Sequence, residues 1–482
     1  MPKFDTSVQE LKYRVLREVA ALTKEDKLTE HMLELPEKII PGPEPTTRCC
    51  IYKERAIVQQ RVQMAIGGHE DVKTEVEVLP IACDECPVSQ VEVGNACRGC
   101  LAHRCAHACP KDAISFENHK ATIDHSKCIA CGRCVAACPY SAITKNTRPC
   151  ERACKPGAIK MDENKKAHIN EEKCVSCGAC VYQCPFGAIV DKSYITHVVK
   201  LLNAAKKGGN PVYAVIAPSI SGQFEGVTTE QVVGGMKAMG FHNVIEAALG
   251  ADIVAYLEAQ ELKEKGFLTS SCCPAFVTYI HKNFPGMVDK ISHNLSPMAM
   301  IAKLIKKAHP EAEIIFVGPC VAKKGEVKLE KVAPYVRYSI TFEELQAMFD
   351  AYDIDLKNTE PDMLNNASYF GRIFARSGGL GDAVVEALKE QDEKSEKASD
   401  FKLNAVVCNG LEECKVALLK ANKGLLQGNF IEGMACEQGC IGGPGCLTHG
   451  PKEKAEVDKY GRMAKEQRLD TAMVIYDMLV DE

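Results

Sequence analysis

The chain has 482 residues, 26 cysteines and a formal net charge of −5. That length supports two to four domains with sizeable cores, and the mildly acidic balance argues against general nucleic-acid binding. No apolar run reaches the length of a membrane span; the longest, such as PVYAVIAPSI, are short and contain proline. The opening MPKFDTSVQELKYRV holds neither an apolar signal core nor twin arginines. The expected compartment is therefore the cytoplasm, where so many cysteines point to metal rather than disulfides.

In chain order, residues 1–78 are expected to be helical. LKYRVLREVAAL has apolar residues at helical spacing, and YKERAIVQQRVQMAIGG ends on a glycine pair suited to a cap. PGPEP at 41–45 breaks the two. Residues 79–195 are cysteine-dense. Residues 196–450 alternate short strand-like runs (YAVIAP, AEIIFVGPC, LNAVVCN) with helical ones (TTEQVVGGMKAMG, DIVAYLEAQELKEK, DAVVEALKEQ), which predicts α/β structure with a largely parallel sheet. Residues 451–482 read as a charged helical segment.

The cysteine-dense region repeats itself. CPKDAI begins at Cys109, CPYSAI at Cys138, CKPGAI at Cys154 and CPFGAI at Cys184. Two of these end a full C-x2-C-x2-C-x3-C run: Cys128, Cys131, Cys134 and Cys138, then Cys174, Cys177, Cys180 and Cys184. This is the bacterial ferredoxin run, whose fourth cysteine serves the other cluster of a pair. Three thiolates on one tight loop can face three corners of a cubane, and the fourth points away. The partner half of the first run is Cys97, Cys100, Cys105 and Cys109. For the second run, Cys150 and Cys154 are nearby, and Cys83 and Cys86 complete the pattern if one module is inserted whole into the other.

Four [4Fe–4S] clusters are expected on that pairing. Their ligands are Cys97/Cys100/Cys105/Cys138, Cys109/Cys128/Cys131/Cys134, Cys154/Cys174/Cys177/Cys180 and Cys83/Cys86/Cys150/Cys184. Structural zinc is the competing use of C-x2-C pairs, but the full run is not a zinc pattern.

Downstream, TSSCCPAF carries Cys272 and Cys273, VGPCVAKKGE carries Cys320, and EGMACEQGC carries Cys436 and Cys440. Adjacent cysteines are poorly placed to bridge each other. Loops that follow parallel strands meet on one face, so Cys273, Cys320, Cys436 and Cys440 form a candidate quartet for a further cubane. These three motifs, in this order across roughly Pro211 to Gly445, resemble the signature motifs of [FeFe]-hydrogenases.

The resemblance implies ferredoxin-like [4Fe–4S] modules followed by a two-lobed α/β catalytic domain, a multidomain α+β and α/β fold. It implies that the four cysteines hold a cubane, with Cys440 also bridging to a two-iron subsite carrying CO, cyanide and azadithiolate. Cys272 would pass protons to that subsite. Pro218 and Ser219, in IAPS, match the loop beside one cyanide, and Lys323 matches the cation beside the other. Met434 and Phe374 match side chains packed against the subsite. Glu258 and Glu261, three apart on an expected helix, match a proton relay whose serine would be Ser296. Without the motifs, the bland readings are solvated glutamates, a surface lysine and core Met and Phe.

Some positions depart from the family pattern. TSCCPGW is here TSSCCPAF, so Phe276 stands for tryptophan. Gly318 stands where many members have methionine, and GGPGC ends the third motif. Cys49, Cys50, Cys408, Cys414 and Cys446 have no expected role.

The expected activity is reversible hydrogen oxidation and proton reduction, after maturation proteins have built the subsite. Electrons would pass through the modules to or from a ferredoxin or flavodoxin. The competing readings are a non-catalytic hydrogenase-like iron–sulfur protein and a hydrogen sensor. The basic KNTRPCERACKPGAIK is expected to dock an acidic carrier through Arg148, Arg152 and Lys155, or else to be a solvated charged loop.

Overall fold

The computed structural model describes residues 4–395, 401–474, 476 and 478. No helix among them is long and apolar enough to cross a membrane. The first helix, Ser7–Lys24, is capped by Thr6, whose hydroxyl accepts from the Gln9 N–H at 3.2 Å. Its apolar stripe (Val15, Leu16, Val19, Ala20) is buried in the same core as the strands of the C-terminal half. The helix packs chiefly against Phe342–Ala351 and Ile195–Lys206. The N-terminal residues are therefore a wall of the catalytic region rather than a free-standing unit.

The cysteine-dense region folds as one ferredoxin-like module inside another. Strand β1 (Val76–Val78) pairs antiparallel with β8 (Ile189–Asp191), with Val76 opposite Asp191. Within that embrace, β2 (Val91–Val93) pairs with β5 (Ile143–Lys145) and β3 (Ile114–Glu117) with β4 (Lys120–Ile123), making the inserted module. The outer module continues with the hairpin β6 (Ile159–Met161) and β7 (Ala167–Ile169). The two full cysteine runs share one backbone shape. Ala130 and Gly132 are left-handed in the first (φ 51 and 79), and Ser176 and Gly178 in the second (φ 52 and 77). Gly178 is needed for a second reason: a Cβ there would lie 2.6 Å from Pro444 Cγ, in the third catalytic motif.

The catalytic region contains two parallel sheets. One has the order β10-β9-β12-β13, from Asn243–Glu246, Val212–Ile216, Glu313–Val317 and Tyr338–Ile340. The other has the order β11-β15-β14, from Leu268–Thr269, Phe430–Met434 and Ala405–Asn409. Strands β9 and β15 are buried along their whole length, as expected when helices cover both faces. The helix Ala247–Lys265 is buried for most of its length, so Glu258 at 0% exposure lies in the interior.

A buried ion network ties the three parts together. Lys12 Nζ reaches Asp191 and Glu343, each at 2.5 Å. Lys324 Nζ reaches Asp191 at 2.9 Å and Glu344 at 2.7 Å. The first helix, the last ferredoxin strand and the catalytic helix after β13 thus share one set of charges. Burial alone would raise the Asp191 pKa, but Lys12 and Lys324 more than offset it and hold the carboxyl well below its ordinary range. Replacing Lys324 with methionine leaves Asp191 and Glu344 short of a cation. We expect a loss of about 3–5 kcal/mol in stability, read as a shifted denaturant midpoint.

Candidate functional site

Three of the expected cysteine quartets each line one cavity. These are Cys97/Cys100/Cys105/Cys138, Cys109/Cys128/Cys131/Cys134 and Cys154/Cys174/Cys177/Cys180. The fourth set also converges. Burial raises the Cys86 pKa, as do Cys184 and Cys83, and burial pushes Cys150 up to about 12, again with Cys184 and Cys83 contributing. Among the described residues, no three or more His, Cys, Asp or Glu side chains are gathered closely enough for one metal ion. Four thiols on each cavity, in the ferredoxin-type order, suit a [4Fe–4S] cluster.

The Ala-Ile repeat has a physical purpose. In all four phrases, the alanine N–H donates to the sulfur of the cysteine four residues earlier. These pairs are Ala113 to Cys109 (3.3 Å), Ala142 to Cys138 (3.4 Å), Ala158 to Cys154 (3.1 Å) and Ala188 to Cys184 (3.2 Å). Such bonds favour the thiolate and tune a cluster's potential. Arg148 is only 2% exposed. It donates to Pro87 O (3.2 Å) and Lys165 O (2.7 Å), and it lies 4.0 Å from Cys83 Sγ. It cannot dock a carrier as expected from the sequence, because its charge is spent inside the module. Arg152 and Lys155 are exposed, and Lys155 sits 3.9 Å from Glu412.

Strand ends assemble the second centre. Cys273 opens the helix Pro274–Asn283 after β11, Cys320 follows β12, and Cys436 and Cys440 follow β15. Burial pushes Cys320 up to about 11 and Cys440 up to about 12, with Cys273 contributing to both and Cys320 also to Cys440. The Cys436 thiol is driven far up by burial, then by Cys320, Cys273 and Cys177. Cys177 belongs to a ferredoxin-type quartet, so that cavity abuts this centre. Cys180 of the same quartet feels Cys150 of the fourth set. The order from the centre outward is therefore Cys154/Cys174/Cys177/Cys180, then Cys83/Cys86/Cys150/Cys184.

The side chains around the quartet fit a bound anionic group. Ser219 is fully buried, and among the described residues its Oγ has no hydrogen-bond partner, so this donor is free for a bound group. Pro218 precedes it in a short 3-10 turn after β9. Burial lowers the Lys323 pKa, but Glu326 more than offsets this and keeps the ammonium charged. Its Nζ lies 2.6 Å from Glu326 Oε2, 2.9 Å from Ser296 Oγ and 3.4 Å from Cys272 O. Met434 and Phe374 are buried, and the Cys440 N–H donates to Ala375 O at 2.7 Å, which brings the Phe374 turn against the third motif.

Gly318 faces Phe316. A Cβ there would meet the Phe316 ring at 2.6 Å, so that aromatic occupies the volume beside the Pro-Cys pair. Phe276 lies likewise over Gly433, where a Cβ would approach its ring to 2.2 Å.

A line of proton-carrying groups leaves Cys272. Burial above all, then Glu258 and Cys273, push the Cys272 thiol well above its usual range. Glu258 Oε1 accepts from the Ser271 N–H (3.1 Å) and hydroxyl (3.0 Å), and its Oε2 has no partner. Burial lifts the Glu258 pKa to about 7, with Ser271 and Ser292 opposing. Ser292 donates to Glu261 Oε2 at 3.1 Å, and Glu261 Oε1 meets the exposed His293 ring at 2.8 Å.

Ser292, which also lowers the Glu258 pKa, is thus the serine that donates to Glu261. Ser296, expected there from the sequence, instead accepts from Lys323. Spacing could not separate two serines four residues apart ahead of a helix start. Ser271, Glu326 and the buried Glu432 were also missed. Glu432 accepts from the Gly378 and Gly381 N–H groups at 2.7 and 2.8 Å; its only signal was a charge within the fully buried β15. Of the remaining cysteines, Cys49 is exposed, Cys50 half-buried, and Cys408, Cys414 and Cys446 buried.

Comparisons with known proteins agree with this architecture. Residues 210–444 match the model for the iron only hydrogenase large subunit, C-terminal domain. Residues 145–188 match a 4Fe-4S dicluster domain and residues 121–144 a 4Fe-4S binding domain. The periplasmic [Fe] hydrogenase large subunit of Nitratidesulfovibrio vulgaris is 30% identical over 379 residues, covering 68% of this chain and 86% of that one. Iron hydrogenase 1 of Clostridium pasteurianum is 28% identical over 403 residues, covering 72% and 69%. A cytosolic Fe-S cluster assembly factor, NAR1, of Eremothecium gossypii is 24% identical over 247 residues, covering 40% and 55%. The chain belongs to the iron-only hydrogenase family and is an iron–sulfur protein with ferredoxin-like 4Fe-4S modules.

With a pKa raised to about 7, Glu258 holds a proton a unit below that pH and has lost it a unit above. Infrared difference spectra should show protonated carboxyl absorption disappearing as pH rises through about 7, with the buried Asp252 and Glu432 contributing beside Glu258, and Glu258→Gln should remove one component of it.

Proposed function

We propose that the chain is a working [FeFe]-hydrogenase, catalysing 2H⁺ + 2e⁻ ⇌ H₂ with electrons relayed through [4Fe–4S] clusters to or from a ferredoxin-type carrier. The observation that carries this reading is the buried Glu258, which acts on the Cys272 thiol and takes both Ser271 hydrogen bonds, with the Ser292–Glu261–His293 contacts leading on to solvent. A protein that only stores or passes electrons has no use for a proton path beside a cluster. Burying an unpaired carboxylate oxygen is costly, and its retention favours catalysis over a NAR1-like assembly role.

In this reading Cys273, Cys320, Cys436 and Cys440 hold a cubane, and Cys440 also carries a two-iron group with CO, cyanide and azadithiolate ligands. When bound, that group supplies the metal at which hydrogen is made and split. The protein supplies position, charge and protons. Lys323, kept charged by Glu326, offers the cation that an anionic diatomic ligand requires, and Ser219 Oγ offers an unspent hydrogen bond. Met434 and Phe374 exclude water.

Cys272 remains a protonated thiol because burial and Glu258 disfavour its thiolate. Glu258 is near half-protonation at neutral pH, so it takes or gives a proton in either direction at little cost. Glu261, joined to His293 at the surface, exchanges that proton with water. The ferredoxin-like quartets supply electrons through Cys177, which stands beside Cys273 and Cys436. Maturation proteins that insert the two-iron group are required partners.

The deciding experiment is infrared spectroscopy of protein produced anaerobically with hydrogenase maturation enzymes. Iron-bound CO and cyanide bands are expected. Intact iron–sulfur absorption without those bands would leave only a cubane in the quartet and favour the assembly or sensing alternatives. In protein that shows the bands, Cys272→Ala should nearly abolish turnover while the bands persist. Ser292→Ala should slow turnover by about 10²-fold, whereas Ser296→Ala should disturb Lys323 and leave proton delivery largely intact. Equal effects of the two serine variants on turnover would refute the path.

A further inference from the structure

Large apolar side chains seldom gather on an exposed surface without a purpose. The inserted ferredoxin-like module exposes three: Leu101 at 96%, Ile129 at 59% and Tyr140 at 53%. Tyr140 and Ile129 each line a cluster cavity, and Leu101 adjoins one. Leu101 directly follows Cys100, and Tyr140 lines the Cys97/Cys100/Cys105/Cys138 cavity together with Arg98 and Arg104. Ile129 lines the neighbouring cavity.

Charge separates the two rims. From Gly94 to Cys109 the chain has no Asp or Glu, while Arg98 and Arg104 are exposed. Among the described residues, neither Arg98 nor Arg104 is paired with a carboxylate. Beside the other cavity, Asp124 lies 3.6 Å from Lys127, and the charges are mixed. The first rim therefore combines a small apolar centre with unpaired cations around it, the arrangement of a transient protein-binding face.

We propose that Leu101, Tyr140, Arg98 and Arg104 form the docking face for an acidic one-electron carrier protein, which exchanges electrons there with the cluster held by Cys97, Cys100, Cys105 and Cys138. The step moves one electron from reduced carrier to oxidised cluster, or the reverse; no bond forms and no proton moves. Charge complementarity selects the occupant. The overall chain is acidic, at −5, so this basic rim is a local exception that steers an acidic partner to one place. A second copy of this chain would oppose arginine to arginine. The proposal rests on the hydrogenase reading only for the purpose of the electrons; docking itself requires the iron–sulfur module alone.

The test is calorimetric titration of full-length protein, produced anaerobically with hydrogenase maturation enzymes, with an acidic plant-type [2Fe–2S] ferredoxin, using a basic c-type cytochrome as counter-probe. Wild type should bind the ferredoxin. The double variant R98E/R104E should bind it about tenfold more weakly at low salt, the difference shrinking as ionic strength rises. Leu101→Ser should weaken binding at every salt concentration. Unchanged cluster absorption in the variants shows that the module is intact.

Absence of ferredoxin binding to wild type, equal binding by all variants, or equally tight binding of the cytochrome would each overturn the proposal. A viologen-linked hydrogen assay on the same preparations decides the hydrogenase reading separately, because viologen needs no docking face. Activity without carrier binding sinks the docking face, and binding without activity sinks the hydrogenase reading.

Discussion

A thiolate cannot persist in a protein interior without compensating positive charge, and this chain gathers most of its thiols into sets of four. Burial raises the thiol pKa in set after set. Left alone, these groups are neutral and mutually repulsive once ionised. Bound iron reverses that balance, because metal binding takes the proton's place and couples to folding. Much else in the structure serves this constraint. Alanine N–H groups point at sulfur, Arg148 is buried beside Cys83, and Lys323 is drawn in beside Cys320 and Cys440.

In the proposed reading, the same constraint separates the paths of electrons and protons. The thiol sets extend from the quartet through Cys177 into the ferredoxin-like modules. The acid line extends from Cys272 through Glu258 and Ser292 to Glu261 and His293. Both begin at one cysteine pair, which explains why Cys272 and Cys273 are neighbours. One side chain turns toward the quartet, and the other lies against the carboxylate of the long buried helix. The Lys12–Asp191–Lys324 network keeps the modules and the catalytic lobes in one register. It acts one residue from Lys323, so the joint between modules and lobes is also a support of the site.

Part of this was legible in the chain itself. The full ferredoxin runs are local: three cysteines within seven residues and a fourth just beyond. Their spacing alone fixes which thiols share a cavity. The set completed by Cys83 and Cys86 was legible only through repetition, since its halves are separated by a whole inserted module. Misreadings came where distant contact decides. Arg148 looked like a surface cation because its neighbours in sequence are polar, yet its guanidinium satisfies two carbonyls inside the module. Ser296 and Ser292 are equivalent in composition and differ only in which partner the fold brings near.

The sequence by itself determined the cysteine sets within single loops, the parallel α/β pattern of the catalytic region and the signature motifs, because these depend on spacing along the backbone. The tertiary structure alone decided which serine reaches Glu261, which arginine is buried, how the first helix joins the core of the C-terminal half and which cluster rim faces outward with apolar side chains. Those outcomes depend on burial and on charge pairing between segments far apart in the chain, and neither is a property of any local run of residues.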